Sequence, residues 1–348
     1  MRIKTSVLQN LVRKVSKCGV NKNIGITEYY SIQGKDGQLS VLATDGVNYI
    51  KAKVKEEVDD IDVIVQADTF AKIVDKTSKE FIELKLEEDC LQLVGNGTYK
   101  IQIYTGEEYP QPDYSKFDNV EGIKVGIDDI KSIGTVNKSA VSNSPNAGAL
   151  NGYLLSEDGV VTTDERRICF NDRVKSREKI LLSREIVNLI NSITDVDVVI
   201  KYADGQVLIE SEGTVIFGVE LEGKEMFPDV SSVISRFKNK VNVCTINKSV
   251  VTKALERIAI FVSPYDKGEL VLISEDNILQ FQTFEDSYEV INVPETQTEI
   301  VEVGINSVNL KELLNGIPVE QIKLGFVDDI FVTLEVPHIK IALATVED

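Results

Sequence analysis

Three groups of basic residues recur at corresponding places in this chain: Arg13, Lys14 and Lys17; Lys131 and Lys138; Lys248, Lys253 and Arg257. Each group accompanies apolar residues at helical spacing, so the cations share a helix with a packing face. Such charges most often end as solvated helix faces. Repetition in three copies of an acidic chain favours another use, a local surface that faces phosphates. Catalytic patterns are absent from the sequence. The single histidine, His338, has no second histidine to share a metal, and its place beside Pro337 near a strand start suits a structural or exposed role. Asp59-Asp60 and Asp128-Asp129 fall at a turn and a helix start, where the helix dipole favours acids. No P-loop, GxGxxG or GxSxG pattern occurs, and Gly95-Asn96-Gly97 reads as a hairpin turn. The expectation is a protein that is not an enzyme and needs no cofactor or metal.

Composition narrows the class further. Lys and Arg total 38 against 56 Asp and Glu in 348 residues, a net charge of -18, so any basic surface must be local. The four cysteines (Cys18, Cys90, Cys169, Cys244) are scattered without a CxxC pair, which suits reduced intracellular thiols. The amphipathic start MRIKTSVLQNLVRKV lacks the apolar run of a signal peptide, and no stretch reaches transmembrane length. A soluble, cytoplasmic protein is expected.

The elements that must carry the basic groups are written three times. Phe70 and Ile73–Val74 give a helical step, followed by alternation at Ile82, Leu84, Leu86, at Leu91, Leu93, and at Tyr99, Ile101, Ile103. The same offsets return from Ile186 (Leu189–Ile190; Val198, Ile200, Tyr202; Val207, Ile209; Val215, Phe217, Val219) and from Leu310 (Leu313–Leu314; Ile322, Leu324, Phe326; Ile339, Ile341, Leu343). In the third copy only the middle strand, Ile330, Val332, Leu334, slips by one. Self-similarity at fixed offset marks a repeated structural unit. Ahead of each copy lies a similar half: Ile3, then Leu8, Leu11, Val12 and Val15, then strand-like runs around the turn Gly34–Gly37. Thr44-Asp45 reappears as Thr163-Asp164. Aperiodic stretches at Gly106–Gly122 and Lys224–Lys240 read as linkers. The expectation is an α+β protein of three domains, 1–117, 118–240 and 241–348, each made of two βαβββ repeats.

Three segments in this order and layout, Leu39–Asp45 (LSVLATD), Leu150–Ile168 (LNGYLLSEDGVVTTDERRI) and Phe227–Ile234 (FPDVSSVI), resemble the bacterial DNA polymerase sliding clamp, the β subunit of DNA polymerase III. The resemblance spans essentially the full length. It implies the three-domain DNA clamp fold, with helices lining a ring and sheets outside. It implies a head-to-tail homodimer around double-stranded DNA, held without sequence preference, that serves DNA polymerase, the clamp loader and other clamp-motif proteins. By position it places a partner-peptide pocket at Leu150, Thr163, Arg167, Ile168, Pro228, Val233 and Ile330, a dimer contact between Tyr99 and Ile101 of one subunit and Ile260 and Phe261 of the next, and a DNA contact at Lys22. Read by themselves, Leu150 and Ile168 would be ordinary core residues.

The chain departs from the family pattern at three places. Its end, Ile341–Asp348 (IALATVED), lacks the Met-Pro-x-Arg-like tail, Glu165-Arg166 replaces Gly-His, and Gly148-Ala149 stands where aromatic residues are common. These changes bear on pocket specificity and leave the ring untouched. The alternative is a clamp-like scaffold that binds proteins without encircling DNA.

Overall fold

A computed structural model describes residues 1–56, 59–261, 269–275, 278–283, 287–294, 301–327 and 330–346. Six copies of strand–helix–three strands follow one another. The first is β1 (Arg2–Lys4), α1 (Thr5–Val15), β2 (Tyr29–Lys35), β3 (Gln38–Thr44) and β4 (Tyr49–Lys55). The second is β5 (Ile61–Gln66), α2 (Ala67–Lys76), β6 (Phe81–Leu86), β7 (Cys90–Val94) and β8 (Thr98–Gln102). The third is β9 (Ile123–Gly126), α3 (Ile127–Thr135), β10 (Tyr153–Leu155), β11 (Val160–Thr163) and β12 (Arg167–Asn171). The fourth is β13 (Ile180–Leu182), α4 (Arg184–Ile190), β14 (Asp197–Ala203), β15 (Gln206–Glu210) and β16 (Thr214–Val219). A short helix, α5 (Ser231–Arg236), interrupts the second linker. The fifth copy is β17 (Val241–Asn247), α6 (Lys248–Ile258), β18 (Glu269–Glu275), β19 (Ile278–Gln282) and β20 (Tyr288–Asn292). The sixth is β21 (Val301–Asn306), α7 (Ser307–Gly316), β22 (Gln321–Val327), β23 (Phe331–Val336) and β24 (Ile339–Ala344).

Helical spacing explains the helices. Leu8, Leu11, Val12 and Val15 of α1 are buried, as are Val251, Leu255 and Ile258 of α6 and Leu310, Leu313 and Leu314 of α7. Ser183, Asn247 and Asn306 cap α4, α6 and α7, each side chain accepting from the backbone N–H three residues on. Such caps satisfy N–H groups that the helix itself leaves unpaired.

The copies exchange their first strands. β1 pairs with β6 (Ile3↔Ile82) and β5 with β2 (Ile32↔Val63), and the same swap links β9 to β14, β13 to β10, β17 to β22 and β21 to β18. Two ladders then join the last strands of different copies, β4 to β16 (Tyr49↔Phe217) and β12 to β24 (Ile168↔Ala342), giving two eight-stranded sheets. Two four-stranded sheets remain, each ending on a last strand, β8 in one and β20 in the other. By contacts the chain forms two compact units, 1–131 with 182–220, and 132–181 with 221–348. The two halves of the expected middle segment therefore fall in different units, because each joining ladder is continuous with its sheet.

Alternation misassigned one strand. The sequence offsets place Val215, Phe217 and Val219 on the same face as Tyr99 and Ile101, yet Thr214 and Ile216 are the fully buried residues of β16 beneath the helices. Phe217 faces the other way and is buried too, because Tyr114 and Phe117 of the first linker stack edge-on against it at 6.2 and 6.3 Å. That linker is thus a folded cover. Tyr109 within it is buried and donates its hydroxyl to the Tyr29 carbonyl at 2.9 Å.

Candidate functional site

The turn between β11 and β12 holds two of the expected pocket residues. Thr163 Oγ1 accepts the Glu165 N–H at 3.1 Å, and Asp164 Oδ1 accepts the N–H groups of Arg166 and Arg167 at 3.1 and 2.7 Å. Arg167 Nε donates back to Asp164 Oδ2 at 2.8 Å, and its Nη1 reaches Glu312 of α7 at 2.5 Å. Burial opposes the Arg167 charge, but the Asp164 and Glu312 carboxylates outweigh it and raise the guanidinium pKa further. Glu165 adopts φ +74°, a left-handed conformation that favours glycine and asparagine. Glu165 is thus a residue that the turn must strain to hold.

Beyond the turn, Ile168 joins Ala149, Val161, Phe227, Val230 and Ala342 in one apolar cluster, with Val233, Phe170 and Phe331 at its margin. Ile168 and Val233 are thereby brought together. Leu150 and Pro228 are half-buried and lie outside that cluster, while Thr163 and Arg167 are buried at the turn. Ile330 is exposed, its carbonyl accepting from Thr345 N–H at 2.8 Å. Sequence reading missed Phe170 and Ala342, although alternation about Ile168 and Leu343 points to both. It also missed Glu312, which lies 145 residues from Arg167 and leaves no local signal.

The first joining ladder carries the same turn. Thr44 Oγ1 accepts the Gly46 N–H at 3.0 Å, Asp45 Oδ1 accepts Val47 and Asn48 N–H at 2.9 and 2.7 Å, and Asn48 Nδ2 donates to Asp45 Oδ2 at 2.9 Å. There, however, Tyr49 faces Phe217 with ring centroids 5.8 Å apart. At the second ladder Ile168 faces Ala342, and the rings in its cluster come from Phe227, Phe237, Phe170 and Phe331 instead.

The basic residues divide into two sets. Arg13, Lys17, Lys22, Lys138 and Lys253 are exposed, and Lys131 is half-buried. Lys138 lies on a short helical turn after α3 rather than on the helix itself. Lys14 corrects the expectation of a phosphate-facing cation. It is 5% exposed, and its ammonium donates to Thr214 Oγ1 at 3.0 Å and pairs with Asp195 at 3.7 Å. It sits one residue past Arg13, and that rotation turns it toward the β16 end of the sheet. Lys248 donates to the Ile317 carbonyl at 2.8 Å, and Arg257 makes a two-pronged contact with Glu289, one bond at 3.0 Å. These two cations keep acidic or carbonyl partners within the chain, which reduces what they can offer a phosphate.

The Lys14–Asp195 pair has a pH consequence. Burial pulls the Lys14 ammonium below the ordinary lysine value, with Asp195 pulling back. Burial pushes the Asp195 carboxyl up, but Ser211, Lys14 and the Gly213 N–H together hold it below its ordinary 3.8. A lowered carboxylate pKa contributes stability that is present above the ordinary value and is lost as pH falls through the folded one. Asp195→Asn is expected to flatten the acid limb of melting temperature against pH below about pH 4. It should also lower stability at neutral pH, where Lys14 would be buried without its partner. An acid limb unchanged from the parent chain would contradict this account.

Of the expected contact residues between copies, Tyr99 on β8 is 40% exposed, while Ile101 points into the chain's own core at 3%. Ile260 and Phe261, in the turn that ends α6, are 77% and 56% exposed. The free edge strand β20 adds exposed Tyr288 and Val290, which sequence reading did not single out. Among the described residues no helix is long and apolar enough to cross a membrane, and no group of three His, Cys, Asp or Glu could hold a metal.

Residues 1–113 match the family model of the DNA polymerase III beta subunit, N-terminal domain. A sequence search of curated proteins finds no match. Among solved structures, the DNA polymerase sliding clamp from Bacillus subtilis is 18% identical with a TM-score of 0.85, covering 100% of this chain and 98% of that one. The beta subunit of DNA polymerase III from Thermotoga maritima is 18% identical with a TM-score of 0.85, covering 100% and 99%. The corresponding subunit from Pseudomonas aeruginosa is 17% identical with a TM-score of 0.83, covering 100% and 99%. The chain therefore has the sliding-clamp fold along its whole length.

Proposed function

We propose that this chain is a subunit of a DNA sliding clamp, a ring that encircles duplex DNA and tethers a replicative polymerase. One observation carries the reading. Among the described residues, four of the six last strands join in pairs, β4 with β16 and β12 with β24, while β8 and β20 are left without such a partner. Joining β8 of one subunit to β20 of the next repeats the existing ladder and removes both open edges. The contact is head to tail, and it closes into a ring when the rotation closes. Two subunits of three domains each, bounded near residues 117 and 240, would make that ring.

Arg13, Lys17, Lys22, Lys138 and Lys253, with Lys131, would meet phosphates, which binds any sequence alike. The apolar cluster at Ile168 would take short peptides from the polymerase, the clamp loader and other partners, with Leu150, Pro228, Val233 and Ile330 at its rim and Arg167 fixing the turn. The chain would work in the cytoplasm as an accessory subunit. The second reading, a clamp-like scaffold that does not hold DNA, is favoured by the burial of Lys14 and the internal bonding of Lys248 and Arg257. Retention on nicked circular DNA separates the two. Reversing Arg13, Lys17 and Lys253 to Glu is expected to shorten retention at least roughly tenfold, since each phosphate contact steepens salt dependence by about one unit. Retention that ignores those charges, or its absence in the parent chain, would leave the scaffold.

A further inference from the structure

A groove of about 380 Å³ lies on the same sheet face as the apolar cluster. Its floor is a single cross-strand row set by alternation, in which Phe170 faces Lys340, Lys340 faces Glu335, Glu335 faces Lys323, and Lys323 faces Thr245. The neighbouring row on that face is Ile168, Ala342, Thr333 and Gly325, the apolar site itself. Phe170 borders both, so the groove continues the site one strand step, about 7 Å, further along.

Among the described residues, its two carboxylates have partners and its two lysines do not. Glu335 is taken by Lys240, and Asp172 at the groove's end is held by His338 Nδ1 at 2.7 Å. Among the described residues, Lys323 and Lys340 have no ion-pair partner. In a chain of net charge -18, these two lysines are a local cationic pair beside an apolar cluster.

We propose that the partner segment docking at the apolar cluster is an extended peptide whose continuation along this face is acidic, its carboxylates meeting Lys323 and Lys340. The inference rests on the docking role assigned to that cluster above. Continuity with the cluster fixes the path, and charge complementarity fixes the occupant. An acidic residue two to four positions from the apolar anchor spans the distance in an extended chain.

The test uses the full chain and fluorescent peptides that share one Leu- and Phe-containing apolar anchor. They carry a flank of Asp and Glu, or the isosteric Asn and Gln, at either end. Anisotropy should show one acidic flank binding roughly tenfold tighter than its neutral counterpart at low salt. That advantage should vanish at high salt and in the Lys323→Glu, Lys340→Glu variant, with neutral-flank binding unchanged. The neutral peptide thereby reports folding, and a Lys323→Gln, Lys340→Gln pair gives the same contrast if the Glu pair fails to fold. Equal binding of acidic and neutral flanks to the parent chain would overturn the acidic continuation while leaving the apolar site standing. Failure of every peptide to bind would overturn the docking role and the inference with it.

Discussion

Changing Phe261 to Asp is expected to reduce the solution particle from twice the 38.6 kDa chain mass to a single chain mass in light scattering. Phe261 and Ile260 present two large apolar side chains to solvent at the end of α6, and Tyr288 and Val290 do the same along the free edge of β20. Apolar anchors at the centre of an interface each contribute about 2–4 kcal/mol. A buried carboxylate in place of Phe261 adds a desolvation cost, so the dissociation constant should rise by roughly 30- to 1,000-fold. The chain's own fold should survive, because Phe261 lies outside the core. Ile101→Asp is the instructive contrast. That residue is buried within its own sheet, so its replacement should unfold the first repeat pair rather than merely open a contact. Should Phe261→Asp keep the doubled mass, the contact lies elsewhere. Should the parent chain run at single mass at every concentration, the ring is wrong.

Asn137→Ala is expected to be the most damaging single polar substitution. The side chain is fully buried and donates to the carbonyls of Val160 and Cys169 at 3.2 and 3.1 Å, while its Oδ1 accepts from Asn171 at 3.2 Å. Asn171 in turn donates to Ser132 Oγ at 2.8 Å, and Thr162 Oγ1 donates to the Asn137 carbonyl at 2.8 Å. This network clamps the turn after α3 onto β11 and β12, the strands whose connecting turn places Arg167 and Ile168. Alanine leaves several buried groups unsatisfied, a cost of about 2–4 kcal/mol. For a unit of this size that corresponds to a melting shift of roughly 5–15 °C. Peptide binding at Ile168 should weaken in parallel, since β12 loses its tether. Exposed Lys138 next door is the control, and Lys138→Ala should stay within about 0.5 kcal/mol. A loss confined to binding, with melting unchanged, would refute the structural role.

The repeats were legible because helices and half-buried strands print different periods, and six copies printed them in one order. Alternation failed at β16, where both faces are apolar. There Tyr114 and Phe117 of a segment that looked like a plain linker cover the second face. Lys14 was misread for a related reason. Spacing shows which residues share a helix face, but it cannot show that Asp195 and Thr214, far along the chain, wait beside one of them. The apolar cluster was half legible. Ile168 and Val233 do meet, but Glu312 and Ala342 enter through contacts more than a hundred residues long.

The sequence by itself determined the type of element, its repetition, the apolar faces and the overall charge, because each of these is local or additive along the chain. Only the tertiary structure decided which strand pairs with which. The exchange of first strands, the two joining ladders and the unpaired edges of β8 and β20 depend on backbone hydrogen bonds, which carry no residue identity. The same ladders set Tyr49 against Phe217 and Ile168 against Ala342. One joint thereby sets ring against ring and its twin an aliphatic side chain against a methyl group, a difference of side-chain volume that appears only once the strands are brought face to face.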